Sequence, residues 1–533
     1  MNINNPEYNV QELFKWYINI FDKKLSNIPV FLEYPTHNEL ISEFLKSTNI
    51  KQEYEIQNVE EISMIYDYVI NNEQEKLISY FNRFNYNEIL DYFYYLAEYI
   101  SELHVYLYVK MYKSRGMVYG NLNIDFKDFN DKLKEKVINK VIEGKIDFSL
   151  VSYYMGIDKA FIQYFFMFLD KANKNYDKGN ILREKDFEYI YSCISNIIFL
   201  VADRDILINL FYKFKKIKIE NYIIIFPDKL SYMGRAVISK SFEDSIKFDT
   251  TVSKELYKIL DDNFESEYGF KHKELVLFLE SDICDMRDMV KVYEESDLLR
   301  KTASIIGDSN KAMKIIDFLT FKNELDCKHI QCIDFYEKRI MLTPIVTTYI
   351  NNKKFYLLSY FLVYHSVFKL FEKIRYNDFK KQIGKNKKII KDLSNKIVED
   401  IKNELVNKCD FVDYNIEIMD EENNKSYEVD VIFILKNSLY IVECKDTSYE
   451  FDPYGFKGER RQGKKFIQNI NIKQEIIRKN IQKYINKFNN NFTQINKIIV
   501  YRRYNIFEDI NDGNDVTILS EHKFYEWFNN ISK

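Results

Sequence analysis

Asp430, Glu443 and Lys445 are the residues whose types and spacing point to chemistry. They lie within residues 427–446, YEVDVIFILKNSLYIVECKD, where two apolar β-like runs each carry acidic residues that a plain strand does not need. Side chains alternate faces along a strand, so Glu443 and Lys445 share a face while Cys444 points away, and Glu428 and Asp430 likewise share one. A short turn at Lys436-Asn437-Ser438 would pair the runs with Asp430 opposite position 444, beside Glu443 and Lys445 at one sheet end. Two carboxylates there require a cation or protons to offset their repulsion. A hard cation such as Mg²⁺, or Mn²⁺ in its place, takes oxygen ligands at about 2.1 Å in octahedral geometry. Asp430, one oxygen of Glu443 and the Cys444 carbonyl offer three, with water and a phosphate oxygen completing the shell. Such an ion acidifies a bound water and offsets charge on a pentacovalent phosphate. Lys445 would orient that water or stabilise the developing negative charge. The chemistry expected is phosphodiester hydrolysis by direct attack of an activated water, with Glu428 an outer candidate.

The elements that must position these residues are legible on either side. Leu393, Ile397, Val398, Ile401 and Leu405 make one apolar stripe and predict a helix over 393–407. Strands are expected over 411–419, 428–435, 438–445, 497–501 and 516–519, and a terminal helix after Ser520. Phe466, Ile470, Ile477, Ile481, Tyr484 and Phe488 mark one long amphipathic helix. The order is α-β-β-β-α-β followed by β-α, a central mixed sheet flanked by helices. Residues 451–463 read as a glycine-rich loop opening the long helix. Lys457, Arg460, Arg461, Lys464 and Lys465 there are candidate contacts to a nucleic-acid backbone, since a helix N-terminus favours phosphate and each cation paired with a phosphate releases counterions. Arg502 and Arg503 are further phosphate candidates.

The Asp-x12-Glu-x-Lys pattern, with a Glu-bearing helix before it and a helix and strand after it, resembles the PD-(D/E)XK nuclease superfamily. EVD…YIVECKD is similar, more narrowly, to the nuclease domains of restriction-endonuclease-like, Mrr-like and NERD-like proteins. The resemblance spans about 110 residues, from Leu393 to Tyr501. The motif's first proline is absent, Val429 preceding Asp430. The resemblance implies a restriction-endonuclease-like fold and a Mg²⁺-dependent nuclease cleaving DNA, less often RNA. It implies Asp430 and Glu443 as metal ligands and Lys445 as the catalytic lysine. It also implies a glutamate on the first helix, for which helical phase favours Glu404 and leaves Glu399 open. A glutamine near the site is implied too, with Gln462 and Gln474 the candidates.

The rest of the chain carries no comparable motif. Its 533 residues exceed one core and point to two to four domains. Only 13 glycines and 6 prolines favour helix over a sandwich or barrel, and the net charge of −4 excludes a chain-wide polyanion binder. Residues 1–338 read as a mainly helical region, in one or two subdomains, and 339–391 as a β-hairpin with a connecting segment. Residues 392–533 read as the α/β nuclease-like domain. There is no GxxxxGK[ST], GxGxxG or HExxH. His37, His104 and His272 stand alone, and the six cysteines form no zinc spacing, Cys327 and Cys332 around His329 being the nearest. No signal peptide or membrane span is evident, so a cytoplasmic protein is expected, without membrane association. The helical region is the expected site of self-association or partner binding, and the architecture is analogous to restriction and anti-phage defence proteins. The alternative reading is a nucleic-acid-binding or scaffold protein with an inactive nuclease fold.

Overall fold

A computed structural model describes residues 6–26, 34–48, 50–114, 132–143, 148–172, 174, 179–180, 182–210, 217–225, 254–284, 289–322, 340, 343–375, 396–445, 453–501 and 515–532. The chain is mixed α/β, with sixteen helices and three sheets among these residues. The described residues up to Ile374 form one compact unit and those from Lys396 onward form a second. No described helix is long and apolar enough to cross a membrane.

The first unit contains α1 (Pro6–Leu25), α2 (His37–Ser47), α3 (Val59–Phe81), α4 (Tyr86–Ser114), α5 (Lys132–Ile142), α6 (Phe148–Lys171) and α7 (Glu184–Leu210). They are followed by α8 (Lys254–Tyr268), α9 (His272–Leu279), α10 (Glu295–Ile306), α11 (Ser309–Leu319) and α12 (Tyr360–Arg375). The abundant aromatic residues pack on one another here, Phe93 stacking on Phe165 with ring centroids 3.8 Å apart. Gly307, in the left-handed region at φ 76°, ends α10, and Asp308 caps α11 through the Asn310 and Lys311 N–H groups. Strands β1 (Glu53–Ile56), β2 (Ile217–Glu220) and β3 (Ile223–Ile225) form one small sheet. Strands β4 (Val290–Glu294), β5 (Val346–Ile350) and β6 (Lys353–Ser359) form another, in the order β4-β6-β5. The β5–β6 hairpin, read from sequence as a separate segment, therefore pairs with β4 and belongs to the first unit.

The second unit runs α13 (Lys396–Leu405), β7 (Phe411–Asp420), β8 (Lys425–Leu435), β9 (Ser438–Lys445), α14 (Pro453–Lys479), α15 (Ile481–Phe488), β10 (Gln494–Tyr501), β11 (Val516–Ser520) and α16 (Glu521–Ser532). Its sheet has the order β11-β10-β9-β8-β7, parallel from β9 to β11 and antiparallel from β7 to β9. The run Val431-Ile432-Phe433-Ile434-Leu435 is buried at every residue, as a strand covered on both faces must be. Ile397, Ile401 and Leu405 of α13 and Phe524 and Phe528 of α16 pack with Val431, Phe433, Val442, Cys444 and Val500 on one face. Helix α14 packs on the other side of the sheet, burying Ile470 and Ile477.

Three local features differ from the expected ones. The β8–β9 turn has two residues rather than three, Lys436 (φ 50°) and Asn437 (φ 61°), both left-handed. That is the backbone of the two-residue hairpin whose twist matches its strands. Leu435 therefore pairs with Ser438 and Val431 with Val442, so the extended register sets Asp430 opposite Glu443 rather than opposite 444. The segment expected as a loop over 451–463 is helical from Pro453 onward. Proline suits a first helical turn, and each glycine costs only about 1 kcal/mol against alanine, which the packed stripe downstream offsets. The amphipathic run over 466–488 is two helices, parted at Asn480.

Candidate functional site

The paired ladder between β8 and β9 stops at Val431–Val442, and beyond that point the strands part. Strand β8 continues along β7 as far as Lys425, while β9 continues along β10 to Lys445. Pairing with β7 also skips one position, joining Val431 to Tyr414 and Val429 to Ile416 with Asp430 between. Asn415, the residue across from it, is left-handed at φ 51°. Asp430 thus sits at a fork in the sheet. Its carboxylate replaces a backbone partner, Oδ2 accepting the Cys444 N–H at 2.7 Å.

The fork gathers the three residues singled out by type and spacing. Lys445 Nζ donates to Asp430 Oδ2 at 3.2 Å and to Glu443 Oε2 at 2.7 Å. The two carboxylate oxygens that share it are therefore no farther apart than the sum of those distances. The Phe466 ring, from α14, lies 5.2 Å from the same ammonium. Burial raises the Asp430 pKa, and the neighbouring Glu443 charge raises it further. Burial works against the charge on Lys445, but Glu443 and Asp430 outweigh it and hold the ammonium above the usual lysine range. Cys444 turns its thiol into the core on the other face, where burial pushes the thiol pKa well up.

A fourth member was not anticipated. Lys473 of α14 is buried, donates to Glu443 Oε1, and donates to the Glu428 carbonyl at 2.5 Å. Its signal was present: 466, 470, 473 and 477 share one helical face, and a lysine on an apolar stripe must find a buried anion. Its neighbours on the helix tie down the sheet in the same way. Asn471 accepts from Lys497 at 2.8 Å, and Gln474 donates to the Ile495 carbonyl at 2.9 Å.

Other expected members lie elsewhere. Glu404 of α13, the helix packed on the Cys444 side of the sheet, pairs with Lys408 just beyond the helix end and makes no contact with the cluster. Glu399 is exposed on the same helix. Gln474 is committed to β10, and Gln462 is exposed. The Glu428 side chain is exposed, and its carbonyl accepts from Lys473. Lys464 and Lys465 are exposed on α14. The side chains of Lys457, Arg460 and Arg461, and all of Arg502, Arg503, Cys327, His329 and Cys332, lie outside the described residues. Of the lone histidines, His104 and His272 are buried in the first unit, and His37 lies 3.6 Å from Asp203.

Among the described residues no three His, Cys, Asp or Glu side chains gather as a metal site. The donors at the fork are two carboxylates. That set suits Mg²⁺, which keeps several waters and is held by one or two carboxylates plus substrate phosphate. The charges are already balanced, however, two carboxylates against the ammonium groups of Lys445 and Lys473.

No family model matches the chain, and no curated protein does. Among solved structures, the crystal structure of protein VC1899 from Vibrio cholerae aligns at 12% identity with a TM-score of 0.15. The alignment covers 53% of this chain and 56% of that one, so this chain spans little more than half of that protein. A likeness at that TM-score says nothing of fold or role.

Proposed function

We propose that the chain is a metal-dependent nuclease of the PD-(D/E)XK type, its second unit a restriction-endonuclease-like domain that hydrolyses phosphodiester bonds, DNA ahead of RNA. The observation that carries the reading is the sharing of Lys445 by Asp430 and Glu443 at the fork between β8 and β9. Asp430 and Glu443 are the residues that would hold Mg²⁺ or Mn²⁺. The ion, when bound, supplies an acidified water and offsets charge on the phosphate. Lys445 is set beside that position by its two carboxylates and by Phe466, and its fixed ammonium can orient the water or take up developing negative charge. Lys464 and Lys465 offer cations to a phosphate backbone on the helix that covers the site, and Lys457, Arg460 and Arg461 extend the same basic segment. A role for the first unit in target binding or self-association, and a place in restriction or anti-phage defence, follow only by analogy of architecture.

Cleavage of plasmid, single-stranded DNA and RNA in Mg²⁺, Mn²⁺ and EDTA tests the reading, with Asp430→Ala and Lys445→Ala run alongside. Metal-dependent cleavage lost in both variants is the expected result. Equal behaviour of Lys445→Ala and the parent protein would sink it. One observation favours the second reading, a nuclease fold that binds without cutting: the Lys473 ammonium already satisfies a Glu443 oxygen. Nucleic-acid binding with no cleavage in any metal would establish that alternative.

A further inference from the structure

We propose that Lys473 is a built-in counter-cation that stands in for the divalent ion and must leave Glu443 before that ion binds. The inference rests on the reading of Asp430 and Glu443 as metal ligands. Both oxygens of Glu443 are engaged by ammonium groups, Oε2 by Lys445 and Oε1 by Lys473. Lys445 alone would leave the carboxylate pair with a net negative charge in a buried setting. Lys473 removes that charge, and burying an uncompensated carboxylate is costly. Its place is built rather than incidental. The lysine stem lies on the apolar stripe of α14 between Ile470 and Ile477, and the ammonium has a second fixed acceptor in the Glu428 carbonyl. That second acceptor gives the ammonium somewhere to remain when Glu443 turns to an ion. The site is therefore stable without metal and binds it less tightly than its two carboxylates alone would.

The test is calorimetric titration of the full chain with Mg²⁺ and Mn²⁺, comparing the parent protein with Lys473→Met, Lys473→Arg and Asp430→Asn, and melting temperatures recorded with and without ion. Methionine keeps the unbranched stem and removes the charge. Lys473→Met is expected to bind the ion at least about tenfold more tightly, since ligand charge tunes cation affinity on that scale. It should melt lower without metal and recover with it. Lys473→Arg should stay near the parent affinity. Equal or weaker binding by a folded Lys473→Met protein overturns the proposal, because a lysine that merely positions Glu443 gives that result. If Lys473→Met does not fold, Lys473→Gln is titrated under the same criterion. Absence of ion binding in the parent and the Lys473 variants alike overturns the metal-site reading itself and this proposal with it. Binding unaffected by Asp430→Asn would place the ion elsewhere and have the same consequence.

Discussion

The Cys444 N–H donates to the Asp430 carboxylate at 2.7 Å, across two strands that have stopped pairing with each other. A side chain here takes the place of a backbone carbonyl, and the sheet opens around it. The fork sets Glu443 and Lys445 beside Asp430 at the strand ends, where Lys473 also reaches Glu443.

This relationship separates the structural part of Asp430 from its charge. The amide oxygen introduced by Asp430→Asn can still accept the Cys444 N–H, so the variant should melt above Asp430→Ala, its remaining loss being the counter-charge taken from Lys445. If the chain cleaves as proposed, Mg²⁺-dependent cleavage by this variant should fall by about 100-fold, the upper range for loss of a group that tunes a metal. Asp430→Ala leaves that N–H without its partner and should cost about 1–3 kcal/mol in urea denaturation as well.

The first unit should lose stability toward mild alkali. Glu98 is buried, accepting from the Ser359 hydroxyl and the Phe361 N–H, and burial raises its pKa to about 8. Burial, helped by Glu88, raises that of Asp91 to about 7. Acids raised in the folded state add stability that is complete below their unfolded values and is lost as pH rises through the folded ones. His37 and His272 act in the opposite sense, burial lowering each to about 4, so their contribution is complete above the ordinary histidine value of about 6.5. Between about pH 6.5 and 8 these two histidines no longer titrate while the two acids still do, so the melting temperature should fall across that window. Glu98→Gln should flatten the decline; an unchanged slope would show that Glu98 does not cause it.

Helix α16 closes one face of the second unit through Phe528, whose ring meets Phe433 edge-on at 5.8 Å. Phe528→Ala should destabilise that unit by about 3–5 kcal/mol, measured by chemical denaturation. The cluster at the fork does not touch this ring, so the ion binding proposed for it, read by calorimetry on the folded fraction, should be unchanged.

The two-residue turn sets the register that brings Asp430 opposite Glu443. Asn437 stands at φ 61°, where a β-branched residue is strained. Asn437→Val should cost about 1–2 kcal/mol, whereas Asn437→Gly should be neutral or stabilising. Equal denaturation midpoints for the two variants would argue against the left-handed turn.

Much of the second unit was legible because its signals are local. Continuous apolar runs marked β8 and β9, and the Ile397–Leu405 stripe marked α13, since burial imposes period 2 on strands and 3.6 on helices. In the first unit the helical character is legible in the sequence but the bounds of the individual helices are not. In α3 even Glu73 and Gln74 are buried, so polar residues on its inward face blur the apolar stripe. Helical phase favours Glu404, but phase only places a residue beside the stripe, and α13 lies on the far side of the sheet from Glu443. The loop expected over 451–463 failed because glycine weakens a helix without forbidding one that downstream packing supports.

By itself the sequence determined which residues are chemically unusual: two acids on apolar strands and a lysine two residues after one of them. Those facts need only alternation and periodicity. Tertiary structure alone decided their partners. A turn of two residues rather than three moves Asp430 by one register position, and that choice depends on left-handed backbone at Lys436 and Asn437. Lys473 meets Glu443 across 30 residues of chain, because α14 folds back over the sheet to bury its stripe. Spacing along a chain does not encode such a meeting; the shared burial of an anion and a cation does.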